Sequence, residues 1–458
     1  MTRAGSGEGG LTAPERYPLA WRQPDFYDPG AIDTELRRVF DICHGCRRCF
    51  NLCDSFPRLF DLIDESETGE LDSVASGGFE DVVEACTLCD MCFMTKCPYV
   101  PPHEFNIDFP HLMLRYRASR FRAGKSRWIS RLLSQTDRNG RLAAPFAALV
   151  NWASARKNRV LRRLIEWFSG IDRHAALPKF TTRPLVRAPA PLIVNHAAPA
   201  FGRKAVIYAT CFVNYNDPEL GRAARAVLAH NGVETAVVYP ACCGMPKLEQ
   251  GDLAAVAARA RTVASALADW IDRGYEVIAL VPSCALMLKF EWPLILPDDA
   301  GVKRLARHTF DISEYVVDIA RSEGLAEGLA PLPGGVALHL ACHARAQNMG
   351  AKAADMLGLI PGADIDVIER CSGHGGAWGV LKGNFDVALK VGRPVARRAL
   401  ESGKSLVASE CPLAAEHIVQ GMERLDSSVR ASAGHPIELM ALAYGLTGRA
   451  TTKGPVVP

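Results

Sequence analysis

KAVIYATC, residues 204–211, is a short apolar run with β-branched residues that ends on a cysteine. Two similar runs follow it: ETAVVYPACC ends at Cys243 and EVIALVPSC at Cys284. Between them lie helix-like segments, PELGRAARAVLAHNG and GDLAAVAARARTVASALADWIDRG. Strands alternating with helices predict an α/β fold whose parallel sheets are built from βαβ units. The series then recurs, as GVALHLAC ending at Cys342, DIDVIERC at Cys371 and KSLVASEC at Cys411. Steps of 31 and 42 residues from Cys211 to Cys242 to Cys284 are matched by steps of 29 and 40 from Cys342 to Cys371 to Cys411. Both series close alike, with FDISEYVVDIA at 310–320 and GHPIELMALAY at 434–444. This reads as an internal duplication, over 203–330 and 331–448. Every copy puts a cysteine at the C-terminal end of a strand, the edge of an open α/β sheet where ligands bind.

The chain has 15 cysteines, and eight of them fall within residues 43–97. They form two similar runs, CHGCRRCFNLC at 43–53 and CTLCDMCFMTKCP at 86–98. Structural zinc is the alternative to weigh, and it typically takes two separated CxxC pairs. Three ligands on one short turn with a distant fourth suit an iron–sulfur cube better. The runs resemble the bacterial ferredoxin pattern, in which the fourth cysteine ligates the other cluster. Carried over, that resemblance implies two [4Fe–4S] clusters. One would take Cys43, Cys46, Cys49 and Cys97, the other Cys86, Cys89, Cys92 and Cys53. Pro98 follows Cys97 as the pattern asks, but no proline follows Cys53, and one gap before a last cysteine is four residues. The 32 residues between Cys53 and Cys86 resemble the insert of helical ferredoxins, so residues 31–110 are expected to form a helical two-cluster domain. Two clusters so close make a relay. Arg47, Arg48 and Lys96 stand beside ligands and are read either as charges that raise a cluster's potential or as solvated surface.

Cys211, Cys242, Cys243 and Cys284 follow the pattern C-x30-CCG-x40-C. Adjacent buried cysteines call for a ligand, so metal binding leads here, ahead of redox-active thiols and plain core. ACCGMPKLEQGDL, PSCALMLKFEWP, ACHARAQNMG and CSGHGGAWG together resemble the C-terminal region of a family of cysteine-rich subunits of anaerobic glycerol-3-phosphate dehydrogenase. They also resemble the CCG module of heterodisulfide reductases, and the likeness covers roughly residues 35–446. It implies iron–sulfur binding in the CCG module, fed by ferredoxin-type clusters. Two departures stand out: Met287 and Ala414 replace the last cysteine of the fuller motif, and the second CC pair is Cys371–Ser372. The first site therefore keeps Cys211, Cys242, Cys243 and Cys284, while the second has only Cys342, Cys371 and Cys411. That second site takes His374 or His343 as a further ligand, or holds no metal. The candidate catalytic residues are Cys242, Cys243 and His374, the last in a glycine-rich turn suited to approaching a cluster or substrate. Neither a P-loop nor a GxGxxG fingerprint is present, so electrons are expected from a partner.

Charge is segregated. Residues 1–110 hold 9 Lys/Arg against 20 Asp/Glu, and residues 111–175 hold 15 against 3, while the whole chain is near neutral at +3. Gly, Pro and charge over 1–30 predict a flexible tail. Residues 111–202 read as a basic helical segment ending in a Pro/Ala-rich linker at 177–202. Within it, RKNRVLRRLIEWFSGI at 156–171 sets Val160, Leu161, Leu164, Ile165 and Phe168 on one stripe among basic residues, near Trp152 and Trp167. Such a helix fits an anionic bilayer, or else an interdomain core with its charges facing the acidic region. No recognition motif accompanies the charge, so nucleic acid is not an expected partner. The N-terminus lacks a signal-peptide core, and the longest apolar run, VIALVPSCALML at 277–288, is interrupted by proline. The expectation is a cytoplasmic electron-transfer subunit at the inner face of the membrane. Its partners would be a redox subunit, a flavoprotein by expectation, or quinone. The alternative is a catalytic reductase of a disulfide or other two-electron substrate at the CCG site.

Overall fold

A computed structural model describes residues 14–187, 192–429, 431 and 433–446. Its first part is helical. Helix α1 (Pro29–Cys46) starts where the Asp28 carboxylate accepts the Ala31 N–H, with Pro29 pre-set for the first turn. It stops at Arg47, which adopts a left-handed conformation. Helices α2 (Ser55–Asp64) and α3 (Phe79–Ala85) pack beneath it around Phe40, Phe56, Phe60 and Phe79, all buried. Helix α4 (Phe109–Arg122) is capped by Asp108 and leads into four shorter helices: α5 (Trp128–Leu133), α6 (Thr136–Ala143), α7 (Ala147–Ser154) and α8 (Arg159–Ser169).

Two parallel four-stranded sheets follow. The first contains β1 (Lys204–Tyr208), β2 (Glu234–Val238), β3 (Glu276–Ala279) and β4 (Thr309–Asp311) in the order β2-β1-β3-β4. The second contains β5 (Val336–His339), β6 (Ile365–Ile368), β7 (Leu406–Ser409) and β8 (Ala433–Gly434) in the same order, β6-β5-β7-β8. Helices such as Leu253–Asp272 and Phe385–Glu401 cover the sheets, which explains the continuous apolar runs of β1, β3 and β5. In each sheet the connections reverse direction between the two central strands, where the cysteine-bearing loops converge.

The units are stitched together. The helix Pro436–Ala443 of the second packs on Pro218–His230 of the first, with Ala330 N–H bonded to Ala443 O at 2.9 Å. Helix α4 lies so close to the first sheet's loops that Gly251 is required: a Cβ there would stand 2.5 Å from the Ala118 nitrogen, and φ is +79°.

Two sequence expectations need correction. Residues 14–28 are not a loose tail: Leu19 N–H bonds Leu294 O at 2.9 Å and Trp21 Nε1 donates to Ile295 O at 2.8 Å, while residues 1–13 lie outside the described residues. The described parts of the Pro/Ala-rich stretch are likewise pinned to the first sheet unit. Thr181 N–H bonds Tyr215 O at 2.8 Å, Asn195 N–H bonds Ala229 O at 2.9 Å, and Leu185 is fully buried. Composition predicts few internal bonds for such segments, but it does not register bonds to distant carbonyls.

Candidate functional site

All 15 cysteines are free, and they gather into four groups. Cys43 and Cys46 occupy the last turn of α1, Cys49 follows on the loop, and Cys97 ends a π-turn over Cys92–Lys96. Burial, with Cys97, Cys49 and Cys46 alongside, pushes the Cys43 thiol up; the same forces push Cys49 up to about 12. Cys53 leaves its own run and sits with Cys89 and Cys86, which add to the burial that raises it. Cys92 belongs to that second group and also feels Cys49, so the two groups adjoin. Leu88 and Asp90, both in the left-handed region, wrap the chain around the second group. Arg47 is held away by a two-pronged pair with Asp64 on α2, at 2.9 Å for its Nη1 bond, rather than aimed at a sulfur. Lys96 lies near Cys49 and Arg48 near Cys97, each favouring the thiolate.

The third gathering lies at the β1/β3 junction of the first sheet. Cys211 opens the turn after β1, Cys242 and Cys243 follow β2, and Cys284 follows β3. The Cys211 and Cys242 sulfurs are 3.7 Å apart, and Gly244 N–H donates to the Cys242 sulfur at 3.4 Å. Hydrogen bonds from Cys211 and then Cys243 pull Cys242 well below the usual thiol range and push those two up. Trp292 Nε1 donates to Cys243 O at 3.1 Å, fixing the adjacent peptide.

Sequence reasoning missed the residues that support this loop. Asp137 on α6 accepts the Cys242 N–H at 3.1 Å, and its carboxylate also takes the Tyr239 hydroxyl and pairs with Arg259. The hydroxyl of Thr136, its neighbour, is buried and has no hydrogen-bond partner among the described residues. The available signal was Asp137 itself, one of only three acids in the basic block.

Cys342, Cys371 and Cys411 form the fourth group, at the corresponding edge of the second sheet. Gly373 N–H donates to the Cys371 sulfur at 3.3 Å, and Ser372, where the first sheet has Cys243, is buried. This group lies between the others: Cys342 and Cys371 neighbour Cys89, and Cys411 neighbours Cys284. His343 Nε2 is 3.2 Å from the carbonyl of Leu88, which ties the second sheet to the Cys86–Cys97 loop. His374 instead faces His417, at 6.0 Å between ring centroids, and burial pushes it down to about 3. Among the described residues, no three His, Cys, Asp or Glu side chains are arranged to hold a single metal ion.

The basic segment departs from one of its two expected arrangements. On α8 the buried residues are Arg162 and Glu166, and Arg162 donates to the carbonyls of Asp172 at 2.6 Å and Ala175 at 2.7 Å. Val160, Leu164, Trp167 and Phe168 face solvent, Trp167 at 76% exposure, so the apolar stripe is not interdomain core. Trp128, Leu142, Phe146, Leu149 and Trp152 of the neighbouring helices are exposed as well. Scattered exposed apolar residues are ordinary, but so many on one helical segment are not. Among the described residues, no helix is long and apolar enough to cross a membrane.

Residues 205–289, which span β1 to the turn after Cys284, match the CCG cysteine-rich domain family. The chain carries a CCG domain. It is also homologous to one of the subunits of anaerobic glycerol-3-phosphate dehydrogenase of Escherichia coli, 29% identical over 316 residues that cover 68% of this chain and 76% of the relative. A subunit of the fumarate reductase (CoM/CoB) of Methanothermobacter marburgensis is 25% identical over 388 residues, 81% of this chain and 63% of that one. A subunit of the dihydromethanophenazine:CoB–CoM heterodisulfide reductase of Methanosarcina barkeri is 26% identical over 255 residues, 53% and 59% respectively. The CCG match takes in all four sulfurs of the first-sheet group, at 211, 242, 243 and 284.

Proposed function

We propose that the chain is an iron–sulfur electron-transfer subunit of an oxidoreductase complex. One observation carries the reading: the thiols lie in four groups end to end, each with a sulfur neighbouring the next group. Cys43, Cys46, Cys49 and Cys97 would hold one [4Fe–4S] cluster, and Cys53, Cys86, Cys89 and Cys92 a second, in a helical ferredoxin-like domain over 31–110. Cys211, Cys242, Cys243 and Cys284 would hold a further cluster; Cys342, Cys371 and Cys411, in the degenerate copy of a duplicated unit, are candidates for another. The donor sets fit. Gathered thiols raised by burial ionise together only around a compensating metal cation, which iron in a cluster would supply. Bound clusters would supply one-electron carriage, and the protein supplies their order and spacing.

The relatives are named subunits of dehydrogenases and reductases, which supports a partner subunit here, flavin-bearing or quinone-linked. The apolar, basic face of α5–α8 supports contact with the inner face of a membrane. A second reading, catalysis on a disulfide or other two-electron substrate at the CCG site, is favoured by the Cys211 and Cys242 sulfurs, 3.7 Å apart, a thiol pair placed for exchange with a disulfide.

Anaerobic purification with iron and sulfide counting tests the proposal. About eight irons place clusters in the 43–97 region alone, and about twelve add the CCG site, at four irons per cluster. Zinc without sulfide removes the reading. Loss of partner-dependent electron flow in Cys89→Ser but not in Cys242→Ser or Cys243→Ser would leave the CCG site without a redox role.

A further inference from the structure

Arg16, in the segment before α1, reaches into the junction of three elements. Its Nη2 is 2.7 Å from Asp90, its Nε 2.8 Å from Asp108, and its Nη1 3.2 Å from Glu291, with the guanidinium 4.4 Å from the Phe93 ring centroid. His111 completes the set, its Nδ1 3.3 Å from Asp108 and its Nε2 3.2 Å from Glu291. Asp90, Glu291 and His111 are all buried. The N-terminal segment, the loop between Cys89 and Cys92, the start of α4 and the turn after Cys284 each contribute a charge.

A neutral imidazole has one N–H and one lone pair, so it would aim a lone pair at one of the two carboxylates. Only the imidazolium donates to both. Burial and Arg16 oppose that charge, but Asp108 and Glu291 outweigh them and raise His111. Burial alone would push the carboxyls up, yet His111 and Arg16 hold Asp108 and Glu291 below the usual range. A cavity of ≈ 10 Å³, about the size for one water, adjoins Asp90, His111 and Glu291 against Leu88, Leu286 and Met245. With His111 protonated, two positive charges face three negative ones; without that proton the imbalance doubles beside Cys89 and Cys92.

We propose that this ion cluster sets the reduction potential of the group held by Cys53, Cys86, Cys89 and Cys92, and couples its reduction to proton uptake at His111. The inference rests on the iron–sulfur reading above. The electron comes from the partner subunit, or from dithionite in vitro, and the proton comes from water, converting imidazole to imidazolium. Arg16 and His111 are positioning residues: they act on that group through the field they create around Asp90. The groups facing His111 from the surrounding elements are Arg16, which opposes its charge, Asp108 and Glu291, which favour it, and Asp90 across the small cavity.

The test is an EPR-monitored redox titration of the full chain, purified anaerobically, between about pH 6 and 9, a range spanning the ordinary histidine value. One cluster's midpoint should fall with pH in the wild type and become pH-independent in His111→Asn. Arg16→Met should lower the same midpoint, and Arg16→Lys should restore it. Unchanged midpoints and slopes in Arg16→Met and His111→Asn overturn the proposal while leaving the iron–sulfur reading intact. A wild type without iron removes both. Should Arg16→Met fail to hold iron, the pH profile of His111→Asn decides alone, and a slope equal to wild type overturns it.

Discussion

Asp137 of α6 accepts the backbone N–H of Cys242 at 3.1 Å, so a helix outside both sheet units positions the paired cysteines of the CCG loop. The same carboxylate pairs with Arg259 and takes the Tyr239 hydroxyl, all partly or fully shielded from water. Asp137→Ala leaves three groups without their partner. Breaking such a shielded network should cost roughly 2–4 kcal/mol, discounted for the residual exposure of the pair. Chemical denaturation should read that loss. Iron analysis should find the CCG complement reduced and the complement of residues 43–97 retained. An unchanged iron count would show that the loop holds its shape without Asp137.

Gly373, φ +77°, lies where a Cβ would overlap the carbonyl of Ala388 in the helix Phe385–Glu401. Left-handed strain and the overlap act together, so Gly373→Ala should cost at least about 3 kcal/mol. Gly274 offers the matched control: it has φ +81° and nothing within 4 Å of an added Cβ. Gly274→Ala should therefore cost only about 1 kcal/mol, the conformational part alone. Equal melting temperatures for the two variants would contradict the close packing of the Cys371 loop.

The strand-and-cysteine rhythm from Cys211 to Cys411 was legible because β-branched runs and helical periods are local properties, and the two sheets with their shared strand order follow from it. The grouping of Cys53 with Cys86 and Cys89 was legible only through a known cysteine pattern. What could not be read depends on long-range contact. Arg162 and Phe168 both lie on α8, and spacing alone left open whether the apolar stripe faced a core or a bilayer; the backbone carbonyls of Asp172 and Ala175 draw the guanidinium in, while Phe168 faces solvent. Asp137 and Arg16 reach their targets across 105 and 74 or more residues of sequence, beyond any local signal.

Glu249, just past the CCG turn, gives a pH dependence with a definite sign. Burial, against the opposing pull of Arg117, pushes its carboxyl up to about 7, from an ordinary 4.5. The folded state therefore binds the proton more tightly than the unfolded one. Its stabilisation is fully present below about pH 4.5 and is lost as pH rises toward 7, at most roughly 3 kcal/mol. Comparing urea midpoints of wild type and Glu249→Gln across that window isolates the effect, because other groups cancel. The variant should lose this slope. Parallel profiles would mean that the carboxyl is ionised throughout.

The exposed face of α5–α8 supports the last prediction. Trp167 and Phe168 stack edge-on at 4.3 Å and stand exposed on α8, within a stretch of sequence, residues 111–175, that holds 15 Lys/Arg against 3 Asp/Glu. Two terms should then bind it to an anionic bilayer: apolar area at roughly 25 cal/mol per Å² buried, and about 1 kcal/mol for each basic residue at the surface. They can be separated, because only the second weakens with salt. Wild type should float with phosphatidylserine-containing vesicles at low salt and less so at high salt. Trp167→Ser with Phe168→Ser should reduce flotation at both salt concentrations while leaving the salt dependence in place. Neutral vesicles should retain only the apolar part. If the double variant floats as wild type does, the aromatic pair faces something other than lipid, and capture by a partner subunit becomes the reading to pursue.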